Sequence, residues 1–240
     1  MLARAAALAR PVTLAGEQRL PVLPALQGLL PAGLRQGTVG VVGGPAATSL
    51  ALALVAEATQ AGSWLGVLGV PALGLAAAAE WGVALARLVA VAAPSGSGSA
   101  SSGSAGAGSG SAGSGSADWA AVAATLVDAF DLVLVDPASA LPASLLRRLQ
   151  ARARERGAIV LSLASHPGLS ADLVLTTTGA RWHGLLAGAG HLEARQVEVE
   201  ATGRGEAARL RRATLWLPGP DGAVGPVVAE VPVRELRHVG

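Results

Sequence analysis

In the stretch VVGGPAATSLALAL, the residues Gly43, Gly44, Thr48 and Ser49 stand between a short apolar run and a helical pattern. That is the setting of a phosphate-binding loop, in which backbone N–H groups wrap an anion, a Lys neutralises it and a Ser or Thr hydroxyl holds magnesium. The pattern G-x-x-x-x-G-K-[S/T] is nevertheless broken here. Counted from Gly43, its second Gly is Thr48, its Lys is Ser49 and its hydroxyl position is Leu50. A register that makes Ser49 the magnesium ligand shortens the loop, and the chain contains no Lys to serve from elsewhere. The favoured reading is a tight strand-to-helix turn; the other is a remnant nucleotide loop.

A second chemical candidate is Asp136, which closes the apolar run LVLV. In a nucleotide site it would reach magnesium through water. In the plainer and favoured reading it caps the turn DPASA. Hydrolysis also requires a carboxylate that positions water, and LGVPALG (Leu68 to Gly74) offers none before Glu80. His166, His183, His191 and His238 lack metal-ligand spacing, and no Ser sits in a nucleophile elbow. The sequence therefore predicts no catalytic residue, no metal site and no cofactor, ATP and magnesium included.

The remaining charged feature is LLRRLQARARERG. Arg148, Arg152 and Arg156 recur at intervals of four and share one helical stripe, with Arg147 and Arg154 beside it. Such a run is most simply a solvated helix face. The functional alternative is contact with nucleic-acid phosphate or an acidic partner.

These residues need a scaffold, and composition limits which kind. The 240 residues suit one substantial domain, and 51% are hydrophobic, drawn mainly from Ala, Leu and Val. No Cys occurs, which excludes a disulfide framework and thiolate chemistry. The net charge of +2 is too small to announce a nucleic-acid protein, since every basic residue is Arg and the high isoelectric point follows from that. The uncharged run Ala61 to Ala79 is rich in Gly and Ala and contains Pro71, so a membrane span is disfavoured. The N-terminus lacks a long apolar core, and a cytoplasmic protein, nucleoid-associated if it meets DNA, is expected.

Strand and helix patterns alternate. TVGVV, WLGVLGV, RLVAVAA, DLVLVDP and AIVLSLAS read as strands. Between them lie a helix capped by Thr48 or Ser49 and ended by Gly62, a second helix in ALGLAAAAEWG, a third with Asp118 as N-cap, and a fourth opened by Pro142 and ended at Gly157. This is an α/β pattern with a mostly parallel sheet flanked by helices. From Asp172 onward, DLVLTTT, HLEARQVEVEAT and RLRRATLWLPG predict an antiparallel meander. The tract Ser95 to Ala117 contains only Ser, Gly and Ala and reads as a flexible loop, natural or engineered. The expected organisation is an N-terminal segment, 1–37, then a single domain, 38–240, interrupted at 95–117.

In order, GLRQGTVGVVGGPAATSLALAL, GVPALGLAAAAEWGVALARLVAVAAP, FDLVLVDPASAL and the closing meander resemble a RecA-like core, over about Leu20 to Gly222. More narrowly, GGPAATSLALALVA, GVPALGLAAAAEWGVAL and RRATLWLPGPDG resemble the RecA-like accessory proteins of actinobacteria that lack the loop lysine, the inducible-mutagenesis protein A type. The resemblance implies a non-catalytic adaptor in the DNA-damage (SOS) response that supports error-prone translesion synthesis. Its implied partners are an inactive Y-family polymerase homologue and an error-prone C-family DNA polymerase, with DNA met directly or through them. The rival expectation is a RecA-family ATP-dependent recombinase or NTPase with a divergent phosphate loop.

Overall fold

A computed structural model describes residues 18–71, 73–93, 112–137, 141–166, 168–186 and 189–227. His238 and positions 95–111 of the Ser/Gly/Ala tract lie outside them. A two-stranded antiparallel ribbon, β1 (Arg19–Leu20) and β2 (Leu34–Arg35), opens the described chain and brackets a 3-10 turn at Pro24–Leu26. The main sheet follows: β3 (Val39–Gly43), helix α1 (Ala47–Gln60), β4 (Leu65–Leu68), helix α2 (Leu75–Glu80), β5 (Leu88–Val91) and helix α3 (Ala112–Ala129). It continues with β6 (Leu132–Val135), helix α4 (Ala143–Arg156), β7 (Ile159–Ser162), β8 (Leu173–Leu186), β9 (Ala189–Gly203), β10 (Arg211–Trp216) and β11 (Gly225–Pro226).

The nine strands are ordered β11-β10-β9-β8-β3-β7-β6-β4-β5. From β5 to β8 every pairing is parallel, and from β8 to β11 every pairing is antiparallel. The central strands are apolar throughout because both their faces are covered. Leu132 and Leu134 of β6 pack with α1, while Val133 and Val135 pack with α3 and α4. Leu26, Leu29 and Leu34 join the α1 side, so the described part of the N-terminal segment shares the domain's core.

Two expectations, one about a helix start and one about strand direction, are corrected. The third helix begins at Ala112, not at Asp118, so residues 112–117 of the tract are helical and Asp118 lies inside the helix rather than capping it. Ala residues favour helix, and Trp119, Ala123, Leu126 and Val127 bury one stripe against the sheet, which overrides the weak local propensity of Ser and Gly. Likewise β8 is not purely a meander strand: its first four residues, Leu173 to Thr176, pair in parallel with β3 while its other edge pairs antiparallel with β9. Alternation in the sequence reports which side is buried and is blind to the direction of a neighbour. The helix expected to open at Pro142 does so, with Pro142 at its N-cap and Gly157, φ 73°, past its end. Among the described residues no helix is long and apolar enough to cross a membrane; Ala61 to Ala79 instead supplies β4 and the short α2.

Candidate functional site

The chain leaves β3 for α1 on one face of the sheet and leaves β6 for α4 on the other. The carboxyl ends of these strands therefore border the kind of crevice in which open α/β sheets hold ligands. Gly43, Gly44, Thr48 and Ser49 lie at this edge. Asp136 follows β6, with β7 between it and β3. At the usual strand spacing its backbone is separated from β3 by roughly 10 Å. Burial pushes the Asp136 carboxyl up, and no cation among the described residues offsets that.

The turn itself is closed by a residue from another strand. Thr177 of β8 is 2% exposed; its Oγ1 accepts the Ala46 N–H at 3.2 Å and donates to the Gly43 carbonyl at 3.1 Å. The Ala47 N–H turns to the Gly44 carbonyl at 3.2 Å. Two donors that a phosphate loop would direct at its anion are thus spent on the protein itself. The N-cap is Ala46, with no side-chain cap, which corrects the expectation of Thr48 or Ser49 there. Thr177 supplies from across the sheet the oxygen that a capping side chain ordinarily supplies from the helix's own start. A bulge in β8 between Thr177 and Gly179, where its pairing with β3 ends, accompanies this arrangement.

Ser49 has a different partner. The Arg195 guanidinium of β9 donates through Nη2 to Ser49 Oγ and through Nε to the Leu217 carbonyl at 2.7 Å, and it lies 4.9 Å from the Trp182 ring centroid. Burial pushes the Arg195 pKa down from the ordinary arginine value. The Ser49 hydroxyl therefore faces a cation where the magnesium reading requires a metal. Sequence reasoning missed both Thr177 and Arg195. Each lies more than a hundred positions from the loop, and only the pairing of β8 with β3 and β9 brings them near.

Removing the Thr177 hydroxyl leaves a buried N–H and a carbonyl without it. Thr177→Val is expected to cost about 1–3 kcal/mol, whereas Thr177→Ser should be close to the parent. Calorimetric melting checks this, and equal melting of the Val variant and the parent would remove the closure role.

The arginine stripe is largely engaged. Arg152 grips both Asp128 oxygens from Nη2 and Nε, Arg156 Nε reaches the same carboxylate at 3.0 Å, and Arg154 pairs with Asp172 at 3.3 Å. These contacts tie α4 to α3 and to the start of β8. Arg147 and Arg148 have no ion pair among the described residues. The C-terminal end of α4 sits near Gly37, just before β3, at the opposite edge of the sheet from Gly44. The stripe and the loop are therefore separate sites.

The Arg152 hydrogen bond, aided by the charges of Arg152 and Arg156, holds the Asp128 carboxyl below the usual aspartate range. A folded-state pKa below the unfolded one means that the stabilisation is present above the unfolded pKa and is lost as pH falls through the folded value. Asp128→Asn should lower the melting temperature slightly at neutral pH and low salt, with the gap closing in acid or at high salt. A gap independent of both conditions would count against the ion pair.

His166 Nδ1 accepts the Gly168 N–H at 3.1 Å, His183 packs edge-on to Trp216, and His191 meets Glu193 at 3.4 Å. No group of three or more His, Asp or Glu that could hold a metal occurs among the described residues.

Fold and site together define an α/β protein with a mostly parallel sheet, whose strand–turn–helix has the outline of a phosphate loop and is closed by its own Thr177. The chain belongs to the MT3502 N-terminal domain family, whose sequence model matches residues 28–168. It is also 35% identical over 137 residues to the uncharacterized protein Rv3395c of Mycobacterium tuberculosis (strain ATCC 25618 / H37Rv), an alignment covering 55% of this chain. The chain spans about half of that relative, 56% of its length. The family match ends beyond β7, so Thr177 and Arg195 lie outside it.

Proposed function

We propose that this protein is a RecA-like adaptor without NTPase activity, acting in the DNA-damage (SOS) response and supporting error-prone translesion synthesis through protein contacts. The observation that carries the non-catalytic part is the closure of the loop by Thr177, together with the pairing of Ser49 to Arg195. A nucleotide would have to displace a buried hydroxyl and reopen the turn, without a lysine to repay that cost. The RecA-like part draws support from the central position of β3, which has parallel partners on both sides and antiparallel strands beyond β8. The mycobacterial relative is consistent with the actinobacterial group that the sequence resembles. The partners proposed are those of that group, a Y-family polymerase homologue and an error-prone C-family polymerase, in the cytoplasm.

Titration with a fluorescent ATP analogue and magnesium tests the reading. The expected result is no saturable binding in the micromolar range. Micromolar binding abolished by Asp136→Ala would replace the adaptor with a nucleotide-dependent protein. A pull-down from DNA-damaged cells should recover a polymerase-type partner, and repeated failure to do so would reject the role in translesion synthesis.

A further inference from the structure

A cleft lies at the opposite edge of the sheet from the loop. It has a volume of about 540 Å³ and is bordered by the β2 ribbon, the starts of β3 and β8, and the turn between β9 and β10. Leu30, Pro31, Leu34 and Leu173 form an aliphatic wall, and Arg19, Arg35, Arg204 and Arg211 stand around it. Asp172, the one carboxylate among the described side chains that line it, is already engaged, accepting the Val39 N–H at 3.1 Å and pairing with Arg154. It therefore does not offset the charges of Arg35 and Arg204. Arg35 and Arg204 are exposed and form no ion pair with any described residue. Arg19 and Arg211 have contacts of their own and complete the rim.

We propose that this cleft is a docking site for an acidic protein segment carrying an aliphatic anchor residue. The inference rests on the adaptor reading and gives that adaptor a surface. Arginine forks match carboxylates bidentately, and an anchor side chain that fills an apolar hollow inside a charged rim is the usual layout of a binding hot spot. The volume lies within the range of sites that enclose a compact ligand. Phosphate would satisfy the same forks, but no aromatic ring is among the described residues that line the cleft. Single-stranded nucleic acid relies on such rings to stack its bases. An aliphatic wall under a basic rim complements a peptide with Leu, Ile or Val among Asp and Glu.

The test uses the full chain and three fluorescent probes read by anisotropy: a short peptide with a Leu pair flanked by Asp and Glu, the same peptide with Ser for Leu, and an oligothymidylate. The variant is Arg35→Glu with Arg204→Glu, and unchanged thermal melting controls for folding. The acidic Leu peptide should bind, and both the variant and the Ser substitution should weaken it by about tenfold or more. Absence of binding, equal binding by the variant, or preferential oligothymidylate binding that the variant abolishes would each overturn the proposal. A polymerase-type partner pulled down equally by the variant would also overturn it while leaving the adaptor reading intact.

Discussion

Gly44→Ala is expected to destabilise the protein by about 4 kcal/mol or more, at the extreme of single substitutions. Gly44 has φ +96°, and a Cβ there would lie 2.1 Å from the Thr177 carbonyl oxygen and 2.3 Å from Thr177 Oγ1. The left-handed conformation alone costs an alanine about 1–2 kcal/mol. The contact with β8 backbone adds to that, because a paired strand cannot move aside as a side-chain tip can. For a chain of this size the melting temperature should fall by roughly 8–16 °C. Gly43→Ala provides the control: it has open space within 4 Å of its Cβ, and its φ is not positive. Two neighbouring glycines of one motif should therefore differ widely in differential scanning calorimetry. Equal melting of the two variants would mean that the turn is not closed against β8. The same result bears on function, since a glycine required for packing against Thr177 needs no phosphate to explain it.

Trp119→Ala should be comparably severe, costing about 3–5 kcal/mol. Trp119 is 1% exposed and sits in the core layer beneath α3, beside Leu68 and Val135. Its indole Nε1 has no hydrogen-bond partner among the described residues. Trp119→Phe therefore removes volume but no hydrogen bond, and should cost less than half as much. Hydrogen exchange in α3 separates a local from a global effect: the Ala variant should lose protection from residue 115 onward, because this side chain anchors a helix that starts in Ser, Gly and Ala. Retained protection and a small shift in melting would show that α3 is held by other contacts.

The parts of the fold that were legible share a cause. A strand covered on both faces must be apolar at every position, so LVLV and VGVV announce β6 and β3 without reference to anything distant. Helix ends were legible where the signal is local, as at Pro142 and Gly157 around α4. They were not legible at Ala46 or Ala112, where the stabilising group comes from elsewhere: Thr177 for the first, the docking of Trp119 for the second. The arginine stripe was visible as a periodicity. Its pairing with Asp128 and Asp172 was not, since those carboxylates belong to other elements.

By itself the sequence determined that the chain has an α/β core, that its loop contains no lysine, and that no acid follows β4 where hydrolysis would need one. Each of these is a matter of residue type at a given place in the chain. The tertiary structure alone decided what fills the loop, that Ser49 faces Arg195, and that the basic cleft gathers arginines from β1, β2 and the turn between β9 and β10. Such contacts depend on which strands become neighbours, and strand order is set by the burial of whole faces, which no local pattern encodes.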